Sequence, residues 1–116
     1  MVQFYDEFSH KCVKIKVKYR EGITLKSTLT LTVNHPTGLH ARPASLFVQT
    51  ANKFTSDIQV QNLTDNSDLA NAKSILSVLT LGVCQDYEIE IVAEGEDADD
   101  ALKALEALIE DNFGED

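Results

Sequence analysis

Alternation between apolar and polar residues is the feature that most constrains how this chain can fold. It recurs in residues 28–33, 58–63 and 87–91, and the polar positions of the first segment are all threonine. A period of two places successive side chains on opposite faces of a strand, so each segment has one apolar face. Strands of this kind are typical of an antiparallel sheet that is covered on one side only.

Apolar residues at helical spacing lie between and after these strands. A helix is predicted over about residues 42–52, because Pro43 is favoured in a first helical turn, where its missing N–H has no intrahelical partner. A short helix is predicted over residues 72–81, with Asn71 as its N-cap. Asp97 is predicted to cap a last helix with an apolar stripe. The stripe comprises Ala98, Ala101, Leu102, Leu105, Leu108 and Ile109.

The order of these elements predicts an α+β fold in two layers, with three helices on one face of an antiparallel sheet. Upstream of it, residues 11–20 largely alternate basic and apolar side chains, which predicts an extra strand. We therefore divide the chain into an N-terminal extension, residues 1–26, and one small domain, residues 27–116. A chain of 116 residues has no room for a second core.

Charge and composition exclude several classes of function. The net charge is −9, and residues 86–116 carry thirteen acidic side chains and one basic one, so nucleic-acid binding is not expected. No apolar run reaches the ~20 residues of a membrane-spanning helix, and no secretory signal is recognised. Cys12 and Cys84 are interpreted as reduced thiols of a cytoplasmic protein, with Cys84 a small structural residue at the start of a strand.

Residues 37–45 carry the candidate chemistry. His40 lies at the predicted start of a helix, where unpaired N–H groups and the helix dipole favour an anion. Arg42 adds a planar, permanently charged donor, and Gly38 permits a backbone conformation that a side chain would hinder. Together these features favour a phosphate on His40 and leave a ring nitrogen available as a nucleophile. The alternative is that His40 only caps the helix while Arg42 binds a carboxylate.

Residues 38–44, with the sequence Gly-Leu-His-Ala-Arg-Pro-Ala, resemble the active-site motif of the HPr family. These are the histidine phosphocarrier proteins of the bacterial phosphoenolpyruvate:sugar phosphotransferase system. Other segments resemble the family's helices and strands, and the resemblance runs in continuous order over about residues 27–112. It implies an open-faced β-sandwich, which agrees with the element order predicted above.

The resemblance also implies a function for His40 and Arg42. His40 is expected to accept a phosphoryl group from enzyme I, which phosphoenolpyruvate charges, and to pass it to the IIA component of a sugar permease. Arg42 is expected to stabilise the phosphate. Such a phosphohistidine carrier needs positioning and charge stabilisation rather than the apparatus of a stand-alone enzyme. The sequence contains no metal-ligand cluster, P-loop or nucleotide fingerprint, so no cofactor or metal is expected, and we expect a monomer.

Further positions match other sites of the family. Ser74 matches a regulatory phosphorylation site, which implies a serine kinase and a transcriptional regulator as partners in some bacteria. Ile75, Leu76 and Leu79 match the partner-docking patch. If these three dock a partner rather than fill the core, at least one should be exposed.

Two alternatives to a sugar-transport carrier stay open. One is a regulator that acts through phosphorylated Ser74, and the other is a carrier in a regulatory phosphorelay without a sugar permease. Of the remaining histidines, His35 is interpreted as a surface residue, and His10 is given no function.

Overall fold

The computed structural model describes the backbone of residues 2–6, 11–19 and 25–114, and the side chains of residues 26–114. Within these ranges the chain forms six strands, three α-helices and a short 3-10 turn. The strands are β1 (Val2–Asp6), β2 (Lys11–Tyr19), β3 (Leu25–Val33), β4 (Asp57–Asn62), β5 (Ala70–Asn71) and β6 (Tyr87–Glu94); the helices are α1 (Ala41–Ala51), α2 (Ile75–Thr80) and α3 (Ala98–Glu110); the 3-10 turn is Asn112–Gly114.

The strands form one antiparallel sheet in the order β1-β2-β3-β6-β4-β5. Its central pair, β3 and β6, runs from Lys26 opposite Glu94 to Val33 opposite Tyr87. Strands that follow one another in sequence therefore do not all pair, because β6 lies between β3 and β4. The predicted antiparallel sheet and two-layer α+β fold are confirmed.

The core lies between the sheet and the three helices. Leu29, Leu31 and Val33 of β3 are buried, whereas Thr32 beside them is exposed, so the alternation seen in the sequence separates a core face from an open face. Each helix contributes fully buried side chains to the core. These include Phe47 of α1, Val78 of α2 and Leu105 of α3. Burying a side chain of this size contributes about 1.5–3 kcal/mol.

The N-terminal extension lengthens the sheet beyond β3. β2 pairs with β3, with Ile15 opposite Leu29 and Lys18 opposite Lys26, and β1 pairs with β2. The sequence predicted the strand over residues 11–20 but not β1. Adjacent aromatic residues, Phe4 and Tyr5, interrupt the period of two in β1. As a result, the first strand of the domain is an interior strand of the sheet.

The start of α2 differs from the prediction. The helix begins at Ile75 rather than near residue 72, and its N-cap is Ser74, whose Oγ accepts a hydrogen bond from the Ser77 N–H (3.3 Å). The prediction of Asn71 as the N-cap is wrong. Asn71 is a residue of β5, and its Oδ1 accepts the Lys73 N–H (2.9 Å) instead.

Asp97 occupies the N-cap position of α3, as predicted, but its side chain makes no capping hydrogen bond. One carboxylate oxygen accepts the Thr55 N–H (2.8 Å), and the other accepts the N–H (2.9 Å) and the hydroxyl of Ser56. The hydrogen bonds from the Ser56 hydroxyl and the Thr55 amide lower the pKa of Asp97 to about 2. Asp97 thus ties the start of α3 to the turn that precedes β4. Among the described residues, no helix is long and apolar enough to cross a membrane.

Candidate functional site

His40 occupies the N-cap position of α1, directly after the loop that follows β3. Its backbone is extended (φ −125°, ψ 161°), its side chain is half-buried, and that side chain makes no capping hydrogen bond. The alternative that His40 serves only as a helix cap is therefore not supported. The first turn of α1 also contains no acidic residue, so no carboxylate on that turn offsets the positive end of the helix dipole.

The backbone beside His40 has an uncommon conformation. Ala41 has a φ of +52°, in the left-handed region, which costs a non-glycine residue about 1–2 kcal/mol. Leu39, Pro43 and Ala44 on either side of it are buried. Their packing holds the local backbone in this conformation, as is common where a functional side chain must be aimed.

Arg42 is exposed and lies in the first turn of α1, two residues after His40. The structure therefore places both predicted residues at the same end of the same helix. Pro43 follows as a buried residue of that turn, and its missing N–H costs nothing there because the first N–H groups of a helix have no intrahelical partner. This helix end combines the backbone N–H groups of a first helical turn with a guanidinium, which suits binding of an anion.

The loop before His40 is fixed against the segment that follows α2. The Leu39 N–H donates to the Val83 carbonyl (3.0 Å), and the Gly38 N–H donates to the His35 carbonyl (2.8 Å). Gly38 has a φ of +64°, and a Cβ added there would lie 2.0 Å from the Val83 oxygen. Only glycine allows the two backbones to approach so closely. This contact links the segment that follows α2 to Leu39, the residue before His40.

His35 is buried, with 6% of its surface exposed, so the prediction of a surface residue is wrong. Its Nδ1 lies 3.1 Å from the Thr37 backbone nitrogen, and its ring meets Phe113 edge to face with centroids 5.8 Å apart. Phe113 belongs to the C-terminal 3-10 turn and is itself buried. A residue so far along the chain could not be recognised as a partner from the local sequence.

Cys84 is exposed and precedes β6, which begins at Tyr87, so the prediction of a structural residue at a strand start is wrong. It is free. The carboxylate of Asp65 raises the pKa of Tyr87, and the nearby Cys84 thiol adds to that effect. The side chains of Cys12 and His10 lie outside the described residues.

Ser74 lies at the far end of α1 from His40. The Asn52 side-chain nitrogen donates to the Lys73 carbonyl (3.2 Å), and the Lys73 ammonium donates to the Phe54 carbonyl (2.7 Å). These contacts join the residue before Ser74 to the C-terminal end of α1. A helix of 11 residues is about 16 Å long at 1.5 Å per residue. The structure therefore does not bring the two predicted phosphorylation sites together.

The three predicted docking residues share the exposed side of α2. Ile75 is 43% exposed, Leu76 is 73% exposed and Leu79 is 36% exposed. Leu69, in the loop before β5, is also exposed and lines one groove with Leu76. Leu69 could not be singled out from the sequence, because its place beside α2 depends on the path of that loop. Among the residues whose side chains are described, no group of three or more His, Cys, Asp or Glu is placed to hold a metal ion.

Comparison with known proteins identifies the family. Residues 27–111 match the family described as PTS HPr component phosphorylation site. The chain is 52% identical over 80 residues to the phosphocarrier protein HPr of Haloferax volcanii, which covers 69% of this chain and 89% of that protein. It is 44% identical over 86 residues to the multiphosphoryl transfer protein of Haemophilus influenzae, which covers 74% of this chain but only 17% of the relative's length.

Solved structures agree with the sequence matches. A crystal structure of HPr-C-His from Thermoanaerobacter tengcongensis is 50% identical, covers 77% of this chain and 97% of its own, and superposes with a TM-score of 0.72. A phosphocarrier protein HPr from Bacillus anthracis is 40% identical, covers 72% of this chain and 96% of its own, and has a TM-score of 0.67. The matched region contains β3 from residue 27 onward, the strands β4, β5 and β6, and all three helices. The chain therefore belongs to the HPr family of phosphocarrier proteins of the phosphotransferase system.

Proposed function

We propose that this protein carries phosphoryl groups on His40, accepting them from enzyme I charged by phosphoenolpyruvate and passing them to IIA components of sugar permeases. One observation carries the proposal. The imidazole of His40 lies at the N-terminal end of α1 without serving as its cap, in a chain that matches the HPr family. Family membership also supports a cytoplasmic location.

The proposed transfer needs only groups that this chain and its partners supply. A lone pair on a ring nitrogen of His40 attacks the phosphorus of the donor, and a P–N bond forms as the bond from phosphorus to the donor breaks. The first N–H groups of α1 and the guanidinium of Arg42 stabilise the charge on the phosphoryl oxygens. Transfer onward reverses the roles, because the P–N bond of phosphohistidine breaks as a bond to the acceptor forms. Transition states of this loose kind depend mainly on positioning and charge.

Docking of partners is proposed for the exposed side of α2. Ile75, Leu76 and Leu79 present apolar surface to solvent, and exposed apolar patches are typical of interaction sites. The same helix leads into Val83, whose carbonyl holds Leu39 beside His40. The C-terminal end of α2 therefore lies nearer to His40 than its start does, and a partner that covers α2 from Ile75 to Leu79 would extend toward the helix end that carries the phosphate.

The decisive experiment is incubation with enzyme I and phosphoenolpyruvate, followed by intact mass before and after mild acid. We expect one acid-labile phosphate, its loss in His40→Ala, and its retention in His10→Ala, the matched control. Arg42→Ala should slow uptake without abolishing it. The proposal fails if the wild-type protein takes up no phosphate, or if His40→Ala takes up as much as the wild type.

A second mass measurement separates sugar transport from a regulatory relay. Addition of a purified IIA domain to the phosphorylated protein should remove the phosphate within the time of the assay. A phosphate that persists in the presence of several IIA domains would favour the relay without a sugar permease.

Regulation through Ser74 is a second candidate, favoured by the position of Ser74 as the N-cap of α2 next to the proposed docking residues. A phosphate there would place a dianion beside the exposed apolar side chains of Ile75 and Leu76 and weaken the docking of an acidic or apolar partner. Treatment with a kinase specific for this family should add an acid-stable phosphate that is lost in Ser74→Ala. An unmodified Ser74 after such treatment would remove this candidate.

A further inference from the structure

His35 is the one buried imidazole among the side chains described, and the phosphoryl transfer above makes no use of it. It begins the tight turn His35-Pro36-Thr37-Gly38, which ends two residues before His40. The turn is closed by the Gly38 N–H, which donates to the His35 carbonyl (2.8 Å). The ring of His35 therefore belongs to the segment that delivers the acceptor histidine to α1.

The hydrogen bond at Nδ1 determines which ring nitrogen of His35 carries the proton. The Thr37 backbone nitrogen lies 3.1 Å from Nδ1, and a backbone amide can only donate, so Nδ1 must hold a lone pair. The Thr37 hydroxyl, 3.0 Å from the same atom, can then donate as well. A side chain that accepts the N–H two residues ahead performs the same function as the asparagine of an Asx-turn.

The other side of the ring is fixed by packing. Phe113 meets it edge to face at 5.8 Å with an interplanar angle of 83°, and Phe113 is 1% exposed. Aromatic pairs in this arrangement are stabilising beyond their buried area. The ring thus connects the turn before His40 to the C-terminal 3-10 turn on one side and to its own loop on the other.

We propose that His35 is a positioning residue for phosphoryl transfer at His40, and that its unprotonated Nδ1 holds the turn in which Gly38 and Leu39 can contact Val83. From that contact the chain passes through the half-buried His40 into the left-handed Ala41 and the first turn of α1. Loss of the acceptor at position 35 lets the turn open and lowers the fraction of molecules with His40 in place. This inference rests on the proposed function, which it extends by one residue outside the helix end.

A matched set of substitutions separates the acceptor from the packing. His35→Leu keeps apolar bulk against Phe113 and removes the acceptor, whereas His35→Asn keeps an acceptor for the Thr37 N–H and gives up the aromatic contact. Because one neutral hydrogen bond is worth a factor of about three to ten in an equilibrium, kcat for phosphate uptake from phosphorylated enzyme I should fall in His35→Leu by up to that factor, as the fraction of molecules with a closed turn falls. KM should not change, since α2 is untouched, and His35→Asn should recover most of the loss.

Ring and amide resonances test the inference without any phosphoryl transfer. Long-range 1H–15N spectra should show Nδ1 unprotonated and Nε2 protonated in His35. The amide of His40 should shift in His35→Leu and return toward its wild-type position in His35→Asn. If the wild type takes up no phosphate, the proposed function fails and these spectra alone decide the inference.

Three results would overturn it: a proton on Nδ1 of His35, a wild-type kcat in His35→Leu, or an equal loss in His35→Asn and His35→Leu. The last result would make packing on Phe113 the only contribution of the ring. If His35→Leu does not fold, His35→Gln replaces it, since its amide lies one bond further out and cannot accept the Thr37 N–H in the same geometry. The same substitution at His10 is the control and should leave kcat unchanged.

Discussion

Gly38→Ala should be among the most damaging single-methyl changes in this protein. At a φ of +64° an alanine costs about 1–2 kcal/mol, and its Cβ would lie 2.0 Å from the Val83 oxygen, well inside van der Waals contact. The loop must move away, and the Leu39 N–H to Val83 carbonyl bond (3.0 Å) is then lost. An unpaired buried carbonyl adds about 1–3 kcal/mol, so the free energy of unfolding should fall by roughly 2–5 kcal/mol.

Gly82→Ala is the matched control for this change. Gly82 has a φ of +65°, but an added Cβ there has no neighbour within 4 Å, so only the backbone cost of about 1–2 kcal/mol applies. Urea unfolding followed by circular dichroism gives both free energies by linear extrapolation. We also expect slower phosphate uptake in Gly38→Ala and near-normal uptake in Gly82→Ala. Equal losses of stability in the two variants would refute the close contact with Val83 as the reason for glycine at position 38.

Three further predictions test other parts of the structure. The pKa of Asp97 is lowered to about 2, below the ~3.9 of an unfolded aspartate, so the contribution of Asp97 to the free energy of unfolding is present above about pH 4 and is lost as the pH falls toward 2. Urea unfolding of Asp97→Asn at several pH values should lack this acid dependence. A pH profile identical to that of the wild type would contradict the prediction. Ser74→Ala should lower the free energy of unfolding by about 1 kcal/mol through loss of the α2 cap, whereas Ser74→Asp should stay close to the wild type. Hydrogen exchange of the Ser77 amide should be faster in Ser74→Ala than in Ser74→Asp, and identical exchange in the two variants would count against the cap. Leu76→Ser should raise the KM for phosphorylated enzyme I several-fold. Because the Leu76 side chain is 73% exposed, the free energy of unfolding should change by less than about 0.5 kcal/mol. An unchanged KM would exclude Leu76 from the docking surface.

The parts of the fold that were predictable are those set by local spacing. The alternation in β3 and β6 and the apolar stripe of α3 follow from the geometry of a single strand or helix, and the structure confirms them. The position of His40 at the start of α1 was equally local, because Pro43 marks a first helical turn wherever the rest of the chain lies.

The parts that could not be predicted depend on partners far away in sequence. Asn71 has the side chain of a good N-cap, but pairing with Gln59 draws it into β5, and the helix starts later. Asp97 occupies the N-cap position of α3, yet its carboxylate accepts hydrogen bonds from the turn before β4 instead of from α3. His35 looks like a loop residue until Phe113 covers it. In each case a tertiary contact outweighs the local preference.

The strand order of the sheet has a consequence for folding of the chain during its synthesis on the ribosome. The central strand β6 is among the last elements to be synthesised, yet it separates β3 from β4. While β6 is still inside the ribosome, β3 can pair only with β2 and β4 only with β5, so the two halves of the sheet stay unjoined, and pairing between such distant segments is slow to establish. Val83, which completes the loop at His40, emerges only shortly before β6. A nascent chain that already displays the histidine motif would therefore not yet be able to carry phosphate.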